Sequence, residues 1–507
     1  MRRRDAVSAS HTAGPRSRAV VVGGGFGGIA SALRLRALGH DVTLVDRCQR
    51  LGGRAQVYTV GGARMDAGPT VITAPHLFDE LFQLFGYERA EFVRFLPVSP
   101  WYRIRFHDGE HFDYGPTDRI EAEIERLSPG DVDGYRRFAA HAGKIFEKGF
   151  TELGDQPFHS LWQMLRTVPD LARLRADRSL YGLVSHYIRD PRLRTALSLQ
   201  PLLIGGDPHR TTCIYALIHE LERRWGVVFP EGGTGALVGA LTRLLDLAGV
   251  EVRTETTVER IAVRGGRAVG VDLAGGGHLP AQVVVANTDP AEVYASMVPD
   301  VAKRRWTAPR LDRLRYGMGL YVLYFTTDRA YPDVAHHTIA VGPDERDELR
   351  DIFDRGQLCA TPSVYLHRPT ATDPGMAPPA GGDSFYALAC TPNLRAGIDW
   401  GAAEAELRER VLDRLEVSEL PGVRAHIAAE TAVTPEHFAE AYLDRHGSAF
   451  RIQPLFTQSA WFRFHNRSEE VANLYCVGAG THPGAGVPGV LSSAKVVERV
   501  LAAETSA

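Results

Sequence analysis

Cysteine is scarce in this chain, and its spacing forms no metal-binding pattern. Five cysteines occur among 507 residues, and no two of them stand in the C-x-x-C arrangement that many zinc sites and redox pairs use. The sequence therefore disfavours a zinc site and suits a protein kept in a reducing compartment. The cysteines are Cys48, Cys213, Cys359, Cys390 and Cys476.

An excess of charge of one sign is also missing. The chain carries 58 Lys and Arg against 61 Asp and Glu, which gives a formal net charge of −3 at pH 7. A nearly neutral chain has no overall electrostatic attraction to nucleic acid. We therefore expect no nucleic-acid partner.

Long apolar runs are absent as well. The uncharged stretch that includes residues 473–494 is interrupted repeatedly by glycine and proline, whereas a membrane-spanning helix needs about 20 predominantly apolar residues. Residues 1–18 contain scattered Arg and Ser without the apolar segment of a secretion signal. We therefore expect a disordered tail over 1–18, a cytoplasmic location and no helix that crosses a bilayer.

Glycine, in contrast, is abundant, and its first cluster has a recognisable spacing. An apolar run over residues 19–22 leads into a G-x-G-x-x-G motif formed by Gly23, Gly25 and Gly28. In a strand–turn–helix unit, the first glycine permits the sharp turn, the second lets the backbone approach a pyrophosphate, and the third allows the helix to pack on the strand. A helix over 29–38 would direct its free N–H groups at the phosphates. The pattern predicts a dinucleotide site.

An acidic residue stands where such a site needs one. Residues 42–45 predict the second parallel strand, and Asp46 follows at its end. A carboxylate at this position accepts hydrogen bonds from ribose hydroxyls. It would also repel a 2′-phosphate, so the sequence disfavours NADP.

Two further motifs carry a family resemblance. The turn Leu51-Gly52-Gly53-Arg54 and the segment over 65–70 resemble the flavoprotein family of amine oxidases, protoporphyrinogen oxidases and carotenoid desaturases. In that family a Gly-Gly-Arg turn lies over the FAD pyrophosphate. The resemblance implies FAD as the cofactor, with Arg54 countering the pyrophosphate charge.

Within that family, the chain most resembles the bacterial-type phytoene desaturases, over nearly all residues beyond 18. The similar segments are 66–73, 225–237, 446–450, 457–463 and the Gly-Ala-Gly-Thr-His-Pro-Gly-Ala-Gly-Val-Pro-Gly block at 478–489. The resemblance implies further FAD-binding residues in addition to Gly23, Gly25, Gly28 and Asp46. They are Gly53, Arg54, Thr70, Val258, Gly480 and Val490.

The order of predicted elements indicates an α/β fold. We expect a Rossmann-like FAD-binding domain of the glutathione-reductase or amine-oxidase type, assembled from 19–75, 226–290 and 460–507. An inserted α+β domain for substrate and membrane docking would combine 76–225 and 291–459. The length of 507 residues agrees with more than one domain.

Other reactive groups are few. No second G-x-G-x-x-G follows a predicted strand, so electrons would leave FAD for an acceptor such as a quinone or oxygen rather than come from NAD(P)H. His219 and Glu222 stand at helical spacing and predict a surface pair, and His336 and His337 would point to opposite faces of a strand. We therefore expect no metal and a flavin as the reactive centre.

The resemblance implies an oxidoreductase that introduces trans double bonds stepwise into 15-cis-phytoene, giving neurosporene or lycopene in carotenoid biosynthesis. A sister carotenoid desaturase acting on a hydroxylated or C30 substrate, and a non-redox FAD-dependent carotenoid isomerase, remain alternatives. His482, in the glycine loop, and Arg166, which matches a charged site of the family, are the candidate catalytic residues. His482 could equally be a loop residue bonded to backbone.

The substrate class implies contact with a membrane. Exposing a C40 hydrocarbon to water would cost about 30 kcal/mol at ~0.8 kcal/mol per CH₂, so the carotenoid must pass directly from a bilayer. Residues 161–187 mix basic, aromatic and leucine side chains, which is typical of an interfacial helix, and we expect peripheral association with the inner face of the cell membrane. The alternative is two ordinary helices broken by Pro169. The stretch contains Trp162, Leu165, Arg166, Leu171, Arg173, Leu174, Arg175, Arg178 and Leu180.

Overall fold

The computed structural model describes residues 17–158 and 160–505. The predicted tail over 1–18 lies outside the described residues as far as residue 16, and Arg18 already belongs to the first strand. The strands are β1 (Arg18–Val22), β2 (Asp41–Val45), β3 (Val57–Val60), β4 (Ala63–Asp66), β5 (Phe95–Pro97), β6 (Tyr102–Arg105), β7 (His111–Tyr114), β8 (Val228–Pro230), β9 (Glu251–Arg253), β10 (Val258–Arg264), β11 (Arg267–Leu273), β12 (His278–Pro280), β13 (Val283–Ala286), β14 (Gly319–Thr327), β15 (His337–Ala340), β16 (Val364–His367), β17 (Ser384–Thr391), β18 (Ile427–Val433) and β19 (Leu474–Cys476).

Helices alternate with these strands, and short 3₁₀ and π turns connect them. They are α1 (Phe26–Ala37), α2 (His76–Gln83), α3 (Thr117–Leu127), α4 (Val132–Phe146), α5 (Leu161–Arg173), α6 (Leu180–Tyr187), α7 (Pro191–Ala196), α8 (Leu217–Trp225), α9 (Gly233–Leu247), α10 (Pro290–Glu292), α11 (Ala308–Arg313), α12 (Glu345–Arg350), α13 (Trp400–Ser418), α14 (Val423–His426), α15 (Pro435–Tyr442) and α16 (Val487–Thr505).

A parallel five-stranded sheet carries the glycine motif. Its order is β19-β13-β1-β2-β9, and Val21 at its centre pairs with Val285 on one side and Leu44 on the other. Continuous apolar strands of this kind are buried on both faces. The sheet draws its strands from three separated parts of the chain, although the predicted domain boundaries themselves stay a prediction.

Helices α1, α9 and α16 cover one face of this sheet. Ile29 and Leu33 of α1, Leu241 of α9 and Val497 of α16 share one buried apolar cluster with the inward residues of β1. α1 is the first described helix and α16 the last. Segments near both ends of the described chain therefore pack on the same face of the parallel sheet.

A second, mixed sheet has seven strands in the order β18-β14-β17-β16-β15-β6-β7. Strand β14, next to the edge strand β18, is buried along its whole length. All neighbouring pairs are antiparallel except β15 with β6. A smaller antiparallel sheet, β10-β11-β12, contains the hairpin of β10 and β11. The fold is therefore α/β with an added α+β part, as predicted.

One detail of the alternative for this stretch is wrong. Residues 161–187 do hold two helices, α5 and α6, but residues 174–179 separate them, and Pro169 lies inside α5. Proline removes one helical hydrogen bond, and here the carbonyl group that loses its donor belongs to Leu165, an exposed residue. None of the described helices is both long enough and apolar enough to cross a membrane.

Candidate functional site

A large cavity lies between the two sheets and has two chemically different ends. Its volume is about 490 Å³. Glycine turns and a few charged side chains line one end, and leucine, isoleucine, valine and tyrosine side chains line the other. The parallel sheet positions the first end, because its strand ends open into the cavity at Val22 and Val45.

The turn after β1 is built as its glycines predict. Gly23 has φ of +95°, a backbone conformation that glycine adopts without strain. A Cβ on Gly28 would lie 1.9 Å from the carbonyl oxygen of Gly23, so only glycine allows α1 to sit this close to the strand. Asp46 is fixed beside the turn, because its carboxylate accepts the N–H groups of Gly24 at 2.5 Å and Cys48 at 2.7 Å.

Most of the predicted cofactor residues line this cavity. The two that do not, Gly28 and Gly480, pack behind it, and a Cβ on Gly480 would lie 2.4 Å from Cδ of Pro290. The structure thus brings together residues that are up to 467 positions apart in sequence. The lining members are Gly23, Gly25, Asp46, Gly53, Arg54, Thr70, Val258 and Val490.

An arginine that the sequence motifs did not indicate shares the glycine-rich end. Arg451 lines the cavity and is buried. Its Nη2 donates to the carbonyl of Asn287 at 3.1 Å, whereas its Nη1 has no hydrogen-bond partner among the described residues. The buried carboxylate of Asp444 lies between the two cations, 2.6 Å from Arg54 Nη2 and 3.4 Å from Arg451 Nε. No spacing rule marks a single arginine, so sequence reasoning missed it.

The two predicted catalytic residues are not among the residues that line the cavity. His482 is buried, with Nε2 3.2 Å from the carbonyl oxygen of Leu153 and its ring packed on Phe158. Arg166 lies on the exposed face of α5, where its guanidinium stands over the ring of Trp162. Neither side chain therefore belongs to the described wall of the cavity, and the catalytic role of each stays a prediction.

The other end of the cavity offers an apolar wall. The contributing side chains come from the turn at Gln200–Ile204, from α8 and from strands β14 and β17 of the seven-stranded sheet. Such a surface binds through burial of apolar area and sets position by shape rather than by hydrogen bonds. Representative lining residues are Leu202, Ile204, Ile218, Leu320, Val322 and Leu388.

One acidic group interrupts the apolar wall, and it corrects a prediction. His219 and Glu222 are each 1% exposed, so the expectation of a surface pair is wrong. Glu222 lines the cavity and its Oε1 accepts a hydrogen bond from Tyr102 at 2.8 Å. The spacing of Ile218, Leu221 and Trp225 places residue 222 on the apolar face of the helix, a signal that would have found it.

The prediction that His336 and His337 point to opposite faces of a strand is also wrong. The rings of His336 and His337 are 4.4 Å apart, because His336 precedes β15 and does not follow the alternation of a strand. Together with His367 they form a buried group whose ring nitrogens lie within 4.8 Å of one another. Burial lowers the pKa of His336 to about 3, so the ring is neutral. The hydroxyl group of Tyr365 lies 2.7 Å from Nδ1 of His337.

Comparison with known proteins agrees with this geometry. The family described as flavin containing amine oxidoreductase matches residues 26–500. A neurosporene-forming phytoene desaturase of Rhodobacter capsulatus is 44% identical over 96% of this chain and 94% of its own. A lycopene-forming phytoene desaturase of Pseudescherichia vulneris is 44% identical over 96% of this chain and 99% of its own.

Among solved structures, cyclohexylamine oxidase from Brevibacterium oxydans IH-35A superposes with a TM-score of 0.62 and 18% identity, over 97% of this chain and 100% of its own. At that identity the likeness concerns the fold alone. The sequence matches are much stronger and extend along almost the whole chain. This protein therefore belongs to the flavin containing amine oxidoreductase family and, within it, to the phytoene desaturases.

Proposed function

We propose that the chain is a FAD-dependent desaturase that introduces trans double bonds stepwise into 15-cis-phytoene, ending at neurosporene or lycopene in carotenoid biosynthesis. The observation that carries the proposal is 44% identity, over 96% of the chain, with enzymes of that description. The cavity supports it, because a glycine-rich end suited to a dinucleotide opens into an apolar end suited to a hydrocarbon. The isomerase and the sister desaturases have no comparable support.

The residues at the glycine-rich end fit FAD. A cradle formed by Gly23, Gly25 and Gly478 leaves space that a Cβ would fill, and the unpartnered Nη1 of Arg451 lies 3.2 Å from such a Cβ position at Gly478. Asp46 would accept ribose hydroxyls, and Arg54 and Arg451 would neutralise pyrophosphate charge. Bound FAD supplies the two-electron acceptor that removal of hydrogen from a CH₂–CH₂ unit requires.

The apolar end would hold the hydrocarbon and exclude water. Phytoene offers no polar handle, so the wall around Leu202, Leu320 and Leu388 would bind it by apolar burial, at ~0.8 kcal/mol per CH₂. The position of the hydrocarbon chain along the wall then determines which of its bonds lies next to the cofactor. Electrons would leave for a quinone or oxygen.

We also propose that the chain docks on the inner face of the cell membrane through α5. Trp162 is 63% and Leu165 50% exposed, and Phe462, in the turn that contacts α5, is 37% exposed. Arg166 and Arg173 are exposed on the same helix, which suits an anionic lipid surface. Leu174 and Leu180 are buried and are not part of this docking surface.

Docking is tested with vesicles of phosphatidylglycerol and phosphatidylethanolamine. The double variant Trp162→Asp, Leu165→Asp should co-sediment at least about tenfold less, because each large apolar side chain contributes about 1.5–3 kcal/mol on burial. Val417→Asp, at an apolar position of α13 that is 85% exposed, is the control. Equal sedimentation of all three proteins would exclude α5 as the docking surface.

The activity is tested by incubating FAD-loaded protein with 15-cis-phytoene in liposomes, with a quinone under anaerobic conditions or with oxygen. The absorption bands should shift to longer wavelength in steps, and each product should be two hydrogens lighter than its precursor. The final product gives the number of steps. Products of unchanged mass would instead support an isomerase, and no conversion with FAD bound would overturn the proposal.

A further inference from the structure

Three buried histidines bring their ring nitrogens close together at the seven-stranded sheet. One nitrogen from each of His336, His337 and His367 lies within 4.8 Å of the other two, and each of these residues is at most 1% exposed. The strand pairing fixes the arrangement, because His337 of β15 stands opposite His367 of β16 and His336 directly precedes β15. Histidine is the commonest metal ligand in proteins, so three converging imidazoles form a candidate metal site.

The hydrogen bonds within this group leave one nitrogen open. Nε2 of His336 lies 3.1 Å from Nε2 of His367, whereas Nε2 of His337 has no hydrogen-bond partner among the described residues. A buried polar atom without a partner is uncommon in a native structure and calls for an explanation, such as an ion. A metal ion between the three rings would take the lone pair of this nitrogen.

The other nitrogens of two of the rings are held in the way that metal-binding imidazoles require. Nδ1 of His336 lies 2.6 Å from the hydroxyl oxygen of Thr372. Nδ1 of His337 lies 2.7 Å from the hydroxyl oxygen of Tyr365. In metal sites, the nitrogen remote from the ion donates its N–H group to a nearby acceptor, which fixes the tautomer and the orientation of the ring. With both Nδ1 atoms protonated, both Nε2 atoms keep a lone pair for an ion.

The spacing of the nitrogens is near the spacing that a zinc ion needs. Tetrahedral Zn²⁺ with Zn–N bonds of about 2.0–2.1 Å holds two ligand nitrogens about 3.4 Å apart. The 3.1 Å between His336 and His367 is close to this value. The other separations, which are at most 4.8 Å, would shorten by at most about 1.4 Å when the ion binds.

The donor set also selects the kind of metal. Imidazole nitrogens suit zinc and copper, whereas magnesium and calcium prefer oxygen ligands. Three neutral ligands leave the fourth position of a tetrahedral zinc ion to a water molecule. The ion lowers the pKa of that water, and the resulting hydroxide offsets part of the buried charge.

We propose that His336, His337 and His367 bind one transition-metal ion, with Zn²⁺ as the expected occupant. This site goes beyond the proposed function, and it replaces the expectation of no metal, which considered His336 and His337 without His367. The ion would join β15, β16 and the segment before β15. Its effect would reach the cavity through Tyr365, which lines the cavity and whose hydroxyl group lies 3.2 Å from Oγ1 of Thr70.

The first test measures zinc in protein that is produced in zinc-supplemented medium, freed of any affinity tag, loaded with FAD and dialysed against metal-free buffer. Elemental analysis should give about one zinc ion per chain, and X-ray absorption at the zinc edge should show imidazole nitrogens at about 2.0–2.1 Å. Zinc far below one ion per chain, or a first shell dominated by oxygen atoms, would overturn the inference.

His337→Gln should retain at least about tenfold less zinc, because even the loss of a group that only supports a ligand weakens metal binding about 10- to 100-fold. His278→Gln is the control, since the ring of His278 lies on the surface beside Asp272, where zinc could bind adventitiously. This variant should keep the zinc content of the wild type. Unchanged zinc in His337→Gln, or loss of zinc in His278→Gln alone, would contradict the proposed site.

A milder pair of variants guards against misfolding of His337→Gln. Thr372→Val removes the hydroxyl group beside Nδ1 of His336 and should weaken zinc binding about 10- to 100-fold, measured by competition with a chelator. Thr391→Val, whose buried hydroxyl group has no partner among the described residues, should leave the affinity unchanged. Equal affinity in both variants would contradict His336 as a ligand. Because zinc is measured without substrate, its absence would leave the proposed desaturase activity untouched, and failure to convert phytoene would leave the metal site untouched.

Discussion

At the scale of single residues, Arg451 is a buried cation in the cavity wall, and its Nη1 has no hydrogen-bond partner among the described residues. Its backbone has φ of +69°, a conformation that non-glycine residues seldom adopt. Burial and the nearby Arg54 lower the pKa of Arg451, and Asp444 and Asp289 offset part of this lowering. An anion at Nη1 would supply the missing partner.

Arg451→Ala should therefore weaken FAD binding. A hydrogen bond to a charged group contributes about 1.5–3 kcal/mol, so the FAD dissociation constant should rise about 10- to 100-fold, measured by quenching of flavin fluorescence. Arg451→Lys, which keeps the charge, should lose less affinity than Ala. Arg126→Ala, which removes a surface ion pair with Glu110 and Glu123, should leave the affinity unchanged. An unaltered constant in Arg451→Ala would show that this guanidinium does not contact the cofactor.

At the scale of elements, one carboxyl group joins β4 to the start of α9. Asp66 accepts the backbone N–H of Thr234 at 2.7 Å and that of Gly235 at 3.0 Å. These donors are among the four that a helix N-terminus leaves without internal partners. Gly233 allows the approach, because a Cβ there would lie 2.5 Å from the carboxylate.

The pH dependence of stability should report this contact. Burial raises the pKa of Asp66 from 3.8 to about 6, so the folded state binds the proton more tightly than the unfolded state. Its contribution to stability is therefore full below about pH 4 and is lost as the pH rises to about 6, by about 3 kcal/mol. Asp66→Asn lacks this loss. In urea titrations, the unfolding free energy of the variant relative to that of the wild type should therefore increase from pH 4 to pH 7.

Asp133→Asn is the control for that measurement, because its side chain is 90% exposed on α4. Its stability should follow the wild type at every pH. Parallel curves for Asp66→Asn and the wild type would mean that burial does not hold the Asp66 proton.

At the scale of the whole molecule, the cavity brings together parts of the chain that are far apart in sequence. Its lining includes residues near positions 23, 54, 258, 451 and 490. A ligand that contacts all of them binds the folded state alone, and it therefore stabilises the whole arrangement.

FAD should accordingly raise the melting temperature of the full chain. At 100 times its dissociation constant it should add about 2.7 kcal/mol, and differential scanning fluorimetry should show one transition that moves upward with FAD concentration. NADP, which Asp46 disfavours, should cause no shift. A second transition whose melting temperature does not change with FAD concentration would show that part of the chain folds independently of the cavity.

Features that depend on neighbouring residues could be predicted from the sequence alone. The G-x-G-x-x-G turn, the strands around Val21 and Val285 and the α/β fold follow from turn chemistry and apolar periodicity, which are local. The family motifs likewise identified the flavin and the substrate class, because their specificity lies in contiguous residues such as 478–489.

Features that depend on contacts between distant segments became visible only in the tertiary structure. It buried His219 and Glu222, brought His336 beside His337, kept α5 intact through Pro169 and placed Arg451 opposite Arg54. A single charged residue has no periodicity of its own. Its burial and its pKa depend on side chains that lie far away in sequence. For that reason the sequence could name the cofactor and the chemistry, whereas only the packing of the two sheets could show which charged groups face the cavity.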